Sequence, residues 1–283
     1  MPQGVASRAW VSASVLPALA PWAARWRDEH SNPAPEFEAW FAHGRTAGYC
    51  RRAQLPMLMG AATRAGLHFT QEQGLWHWHP NAIDEDTAAW ARLGQLLKEE
   101  GLVPGWRNET LPVINHDGQV LAHAERGLFK PFGLCSRAVH IHVEDAAGLV
   151  WVGVRAWTKS ENPGMLDNLT AGAVASGETP ESAVWRELSE EAGLAPEQLQ
   201  ALAPLRTGQG CLLMNRPMLR GGWHREWVHL YRAVLRDGCL PANRDGEVRG
   251  FHCMTRQACI QALNAGQFTP DAALCTALAL SEF

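Results

Sequence analysis

Several features are missing from this 283-residue chain, and each absence narrows what it can be. No apolar run approaches the roughly 20 residues that span a bilayer. The mildly apolar stretch VSASVLPALAPWAA is interrupted by Pro17 and Pro21 and preceded by little basic sequence, so it does not read as a secretory leader. No membrane partner is expected. There is no CxxC pair, and seven cysteines is an odd number, which argues against a disulfide framework or a structural zinc site. They are expected to be buried small hydrophobes of a cytoplasmic protein. Basic runs are absent and the formal net charge is -4, so no nucleic-acid partner is expected either. No internal repeat, low-complexity tract or long linker divides the chain.

What is present suffices for a real core: 46% of the residues are hydrophobic, in a length that suits one large domain or two small ones. The reading is an N-terminal segment over 1–34, an α+β part over 35–130 and a second part over 131–283. In the middle part, DEDTAAWARLGQLLKEEGL predicts a helix from Asp84 to Glu100 stopped by Gly101, and GLHFTQEQGLWHWHP predicts a hairpin turning at QEQG. In the last part, Ala138–Glu144 and Leu149–Arg155 alternate like two strands joined by the turn DAAG.

Negative charge gathers in GAVASGETPESAVWRELSEEAGL, from Gly172 to Leu194. Thr179 reads as an N-cap, Pro180 as the first helical residue and Gly193 as the left-handed stop. At helical spacing Glu187, Glu190 and Glu191 share one arc, beside an apolar arc of Trp185, Leu188 and Ala192. Like charges so spaced cost a few tenths of a kcal/mol per pair, roughly, and Arg186 is the only base on the helix. A hard divalent cation, which takes oxygen ligands, would relieve that repulsion.

These residues resemble the Nudix box: Gly172, Glu178, Arg186, Glu187, Leu188, Glu190, Glu191, Gly193 and Leu194 fill every fixed position of its 23-residue pattern. The resemblance implies an α/β fold, a Nudix α/β/α sandwich with a mixed sheet, here preceded by a smaller α+β domain. It also implies hydrolysis of a diphosphate linked to another moiety, with Mg2+, or Mn2+ in its place, as cofactor. Glu187, Glu190 and Glu191 would hold the metal together with the backbone carbonyl near Gly172. One of these carboxylates, or Glu247 in the later DGEV loop, would be the general base. Glu178 and Arg186 would form the ion pair that sets the loop against the helix.

The stretch VGVRAWTKSENPGMLDNLTAG resembles the corresponding part of Nudix proteins related to the Nudix domain of fungal thiamine pyrophosphokinases. EEGLVPGWRNETLPV, ERGLFKPFGLCSRAVHIHV, HREWVHLYRAVL and DGEVRGFHCM extend the likeness to roughly 35–275. The substrate so implied is thiamine diphosphate or its oxidised forms, cleaved to the monophosphate and phosphate. Arg155 and Lys159 are candidates to grip phosphate oxygens, against the plainer role of exposed bases at a strand end. Trp157 and Trp223 are candidates to stack on a flat ring, against core packing in a chain of 13 tryptophans. His77 and His79, and His140 and His142, are read as structural.

Three other functions compete. A Nudix-fold isopentenyl diphosphate isomerase would carry a cysteine where this chain has Ala171, and an altered box. A hydrolase of ADP-ribose or another nucleoside diphosphate derivative fits the box equally well. A ligand sensor without turnover would tend to lose box carboxylates, and none is lost. Ala173 departs from the Gly-Gly pair with which many such boxes begin. Three roles stay open for the N-terminal part: covering the substrate, building a homodimer interface, or stabilising the fold.

Overall fold

Helix α1 (Ala20–Glu29) is the first α-helix in the computed structural model, which describes residues 15–29, 34–103, 105–115, 117–159, 161–206, 211–218, 222–244, 246 and 248–282. Strands β1 (Phe37–Ala42), β2 (Arg45–Arg51), β3 (Phe69–Glu72) and β4 (Leu75–Trp78) then form a four-stranded sheet in the order β2-β1-β4-β3. The expected hairpin is β3 and β4, joined by Gln73 (φ 50°) and Gly74 (φ 84°), the paired positive φ of a tight hairpin turn. Helices α2 (Leu55–Arg64) and α3 (Ile83–Glu99) belong to the same unit, the second close to its expected bounds. Their apolar faces share one core with Trp40, Trp78 and Phe132. Strands β5 (Thr110–Ile114) and β6 (Val120–Glu125) form a separate hairpin, followed by the one-turn helix α4 (Phe129–Phe132).

The second sheet contains β7 (Cys135–Glu144), β8 (Val150–Arg155), β9 (Leu166–Asn168), β10 (Thr170–Ala173), β11 (Leu199–Pro204), β12 (Cys211–Pro217), β13 (Trp223–Leu235) and β14 (Val248–Met254). Its main order is β11-β13-β7-β8-β14, with β7 and β13 parallel and the other pairs antiparallel. It is therefore mixed, as expected. Side chains alternate between its faces with period two. On one face Val139, Ile141, Val143 and Tyr231 meet Val184, Leu188 and Ala192 of helix α5 (Pro180–Ala192). On the other, Val152, Leu212, Met214, Val228 and Leu230 meet α6 (Arg256–Asn264) and α7 (Pro270–Ser281).

Helix α7 is apolar nearly all round, which suits a helix covered on every side. Part of that cover comes from Leu19, Trp22 and Trp26, brought from the other end of the chain. Arg25 donates to the carbonyls of Leu263 and Asn264 at the end of α6, where unpaired carbonyls and the helix dipole favour a cation. The described part of segment 1–34 thus packs on the C-terminal helices.

One topological detail positions the candidate site. β7 pairs with β10 over Ala138–Ile141 but with β8 at Val143 and Glu144, so the sheet forks between β10 on one side and β8 with β9 on the other. All seven cysteines are free, with Cys50, Cys135, Cys259 and Cys275 buried, Cys211 and Cys239 half-buried, and Cys253 exposed.

Candidate active site

Helix α5 begins where local chemistry demands. Thr179 Oγ1 accepts from the Ser182 amide at 3.2 Å and Ser182 Oγ accepts from the Thr179 amide at 3.0 Å, so two orphan donors are satisfied reciprocally. Gly193 ends the helix at φ 62°. The arcs differ from the simple helical projection. Leu188 and Ala192 are buried, but Trp185 is exposed and Val184 takes its place in the core. Glu187 does not share an open face with its neighbours: it is 7% exposed, whereas the Glu190 side chain is 61% exposed and Glu191 lies between.

Arg186 organises the acidic residues. Its Nε donates to Glu178 Oε1 at 2.7 Å and its Nη2 to Glu178 Oε2 at 3.0 Å, a two-point pairing of guanidinium with carboxylate. The same Nη2 donates to the Ala173 carbonyl at 2.9 Å, and Glu178 Oε2 also accepts from the Ala175 amide at 2.9 Å. Loop and helix are thereby clamped together. Nη1 donates to Glu187 Oε1 at 2.6 Å and Glu190 Oε2 at 3.3 Å. Glu191 Oε2 accepts from the Ala171 amide at 3.0 Å. Hydrogen bonding to Arg186 holds the Glu178 carboxyl below its ordinary pKa, and pairing with Glu178 raises that of Arg186. Burial pushes Glu187 up.

Gly172 lies directly over Glu187. A Cβ at this position would stand 1.8 Å from Glu187 Oε1, so only glycine lets β10 approach the carboxylate so closely. Ala173 in the next position is buried and points its methyl into the N-terminal core.

The donor set suits a hard divalent cation. Its groups are all oxygens, and Glu187 and Glu190 already converge on one cationic nitrogen. Among the described residues no three His, Cys, Asp or Glu side chains are grouped to hold a metal ion. Glu247 lies outside the described residues.

Across the fork, Arg155 ends β8 and is already paired: Nη1 donates to Asp167 Oδ2 at 2.7 Å and Nε to the Glu161 carbonyl at 3.2 Å. Lys159 is half-buried in the loop that follows. Trp157 in that loop is 66% exposed, with the Arg249 guanidinium 5.2 Å from its ring centroid. Trp223 does not stand open to a ligand. It is 4% exposed, stacked on Tyr49 with centroids 4.3 Å apart, edge-on to Phe37, and its Nε1 donates to Asn215 Oδ1 at 2.7 Å. Of the two roles weighed for it, ligand stacking and core packing, its surroundings fit core packing between the two sheets. His140 and His142 are buried and bonded to Asn168 and Glu144.

Residues 135–273, which include the box, Arg155, Trp157 and Asp167, match the family model described as NUDIX domain. Residues 135–273 are a Nudix domain. Nudix hydrolase 20 of Arabidopsis thaliana, a chloroplastic protein, is 32% identical over 172 residues, covering 59% of this chain and 45% of the relative. The uncharacterized Nudix hydrolase YfcD of Escherichia coli K12 is 36% identical over 87 residues, 31% of this chain and 48% of the relative. This chain thus spans about half the length of these curated relatives. Among solved structures, DR0079 from Deinococcus radiodurans is similar with a TM-score of 0.46 and 24% identity, over 59% of this chain and 97% of that one.

Two residues that bear on this Nudix site escaped the sequence reading. Asp167 is 8% exposed and binds both Arg155 and Thr269 Oγ1, the latter at 3.3 Å. Its only signal was its place in the PGMLDN turn. Arg249 showed none, because a cation meeting an indole 92 positions away leaves no local trace.

Proposed function

We propose that this protein is a Mg2+-dependent hydrolase that cleaves a diphosphate linked to another moiety. The observation that carries the reading is the convergence of Glu187 and Glu190 on Arg186 Nη1 beneath Gly172, with Glu191 bonded to the neighbouring Ala171 amide. Glu187, Glu190, Glu191 and the Gly172 carbonyl would hold the cation. When bound, it would neutralise charge on the diphosphate oxygens and lower the pKa of the attacking water.

The remaining work falls to the protein's own groups. Arg186 and Glu178 keep loop and helix in register, so that the carboxylates do not have to be organised during the reaction. A box carboxylate, or Glu247, accepts the proton of the attacking water. Arg155, oriented by Asp167, and Lys159 bind phosphate oxygens from the other side of the fork. Trp157, 66% exposed but with the Arg249 guanidinium over its ring, is the candidate to meet the ring attached to the diphosphate. The resemblance of the stretch before the box is what makes thiamine diphosphate and its oxidised forms the leading substrates, with ADP-ribose as the competitor.

The test is release of monophosphate product, with and without Mg2+, from thiamine diphosphate, its oxo and oxy forms, ADP-ribose and isopentenyl diphosphate. Mg2+-dependent turnover of the thiamine compounds supports the full reading. Turnover of ADP-ribose alone keeps the reaction and discards the substrate. No turnover of any compound would favour a ligand sensor.

A further inference from the structure

Lys130, at the end of the N-terminal unit, reaches the loop between β8 and β9. The short helix α4 that carries it is held on two sides. Trp40 Nε1, inside the N-terminal core, donates to the Phe132 carbonyl at 2.8 Å. Gly222, just before β13, presses against Lys130 so closely that a Cβ there would lie 2.0 Å from the Lys130 carbonyl oxygen. From this fixed base Lys130 Nζ pairs with Glu161 Oε1 in the loop between β8 and β9.

Glu161 is the link to the candidate phosphate grip. Its own carbonyl accepts from Arg155 Nε, while Arg155 Nη1 is held by Asp167. Asp167 lies in β9, which is followed after one residue by β10, the strand that carries Gly172. The loop also carries Trp157 and closes back on β8, where the Gly164 amide donates to the Arg155 carbonyl at 3.1 Å. The contacts thus run from Trp40 and Phe132 through Lys130 and Glu161 to Arg155. Removal of the Lys130 charge would leave Glu161, and the carbonyl that orients Arg155, without their tie to the N-terminal unit.

We infer that Lys130 is a positioning residue, through which the N-terminal unit sets the loop that presents Arg155 and Trp157 to the diphosphate substrate. This rests on the hydrolase reading above. The Lys130 and Glu161 side chains are 36% and 37% exposed, and an ion pair in such a setting contributes little to overall stability. Its effect therefore falls on geometry, where a displacement of about 1 Å at a binding group can cost on the order of 100-fold.

The experiment compares Lys130→Glu, Glu161→Lys and the double exchange with the wild-type full-length chain. Two readouts are taken: KM and kcat on whichever diphosphate of the panel the wild type cleaves, and amide hydrogen exchange over residues 157–164 without substrate. Each single variant is expected to raise KM about tenfold with little change in kcat or unfolding midpoint, and to speed exchange in the loop. The double exchange should restore both. Wild-type KM and exchange in the single variants, or no recovery in the double, overturns the inference while leaving the hydrolase reading intact. If the wild type cleaves nothing in the panel, that reading fails, and loop exchange alone decides whether Lys130 holds the loop.

Discussion

Glu187 occupies the space that a side chain at position 172 would need, since a Cβ on Gly172 would lie 1.8 Å from Glu187 Oε1. The Glu187 carboxylate can lie against the strand there only because position 172 has no side chain. Gly172→Ala should therefore lower stability by about 1–3 kcal/mol through overpacking, and should move the carboxylate away from its partners. Urea unfolding and hydrolysis rates check both effects. Wild-type values in the two assays would mean that the close approach does not matter.

Glu190 offers the cleaner test of metal binding, because its side chain is 61% exposed and little packing depends on it. Glu190→Gln should change unfolding free energy by no more than about 0.5 kcal/mol. Turnover should fall by about 100-fold or more, as when a transition-state charge stabiliser is removed, and the Mg2+ needed for half-maximal rate should rise. Normal turnover in both Glu190→Gln and Glu191→Gln would remove the metal assignment.

The pairing of Arg186 with Glu178 predicts a pH dependence. Hydrogen bonds from Arg186 hold the Glu178 carboxyl below the ordinary value of 4.5, so its stabilising contribution is complete above that pH. It is lost as the pH falls through the depressed folded-state pKa. Arg186→Met removes the cause of the depression and leaves buried Glu187 without its partner. The stability difference between wild type and Arg186→Met should be largest near pH 7 and shrink below about pH 4.5. Urea unfolding at several pH values measures it, and a gap independent of pH would count against this assignment.

Trp157 and Trp223 should separate binding from stability. Trp157 is 66% exposed, so Trp157→Ala should leave the unfolding midpoint nearly unchanged while raising KM for a ring-bearing substrate. Loss of one stacking contact corresponds to about 0.5–1.5 kcal/mol, a several-fold effect. Trp223 is 4% exposed and braced by Tyr49 and Phe37, so Trp223→Ala should cost about 3–5 kcal/mol of stability. Equal stability losses in the two variants would contradict this division.

Much of the box is legible in the amino-acid sequence because its signals are local. Thr179, Pro180 and Gly193 act within one helical turn of their positions, and the hairpin turn at Gln73 and Gly74 needs only its own backbone angles. The Glu178–Arg186 pair spans eight positions, yet one loop and two turns of helix bring its members together. Burial is less legible. Glu187, Glu190 and Glu191 look alike in the sequence, and Trp157 and Trp223 carry the same side chain, because nothing local states which neighbour will arrive from elsewhere.

The sequence by itself determined the start and end of the box helix, the identity of its carboxylates and the alternation of β7 and β8, all products of capping, composition and periodicity. Tertiary structure decided which carboxylate is buried, which tryptophan is open, and that α1 covers the C-terminal helices through contacts such as Trp22 N to Asn264 Oδ1, 242 positions apart. The physical reason is range. Backbone preferences act over about four residues, whereas burial and pairing depend on which distant segments the packed core brings into contact.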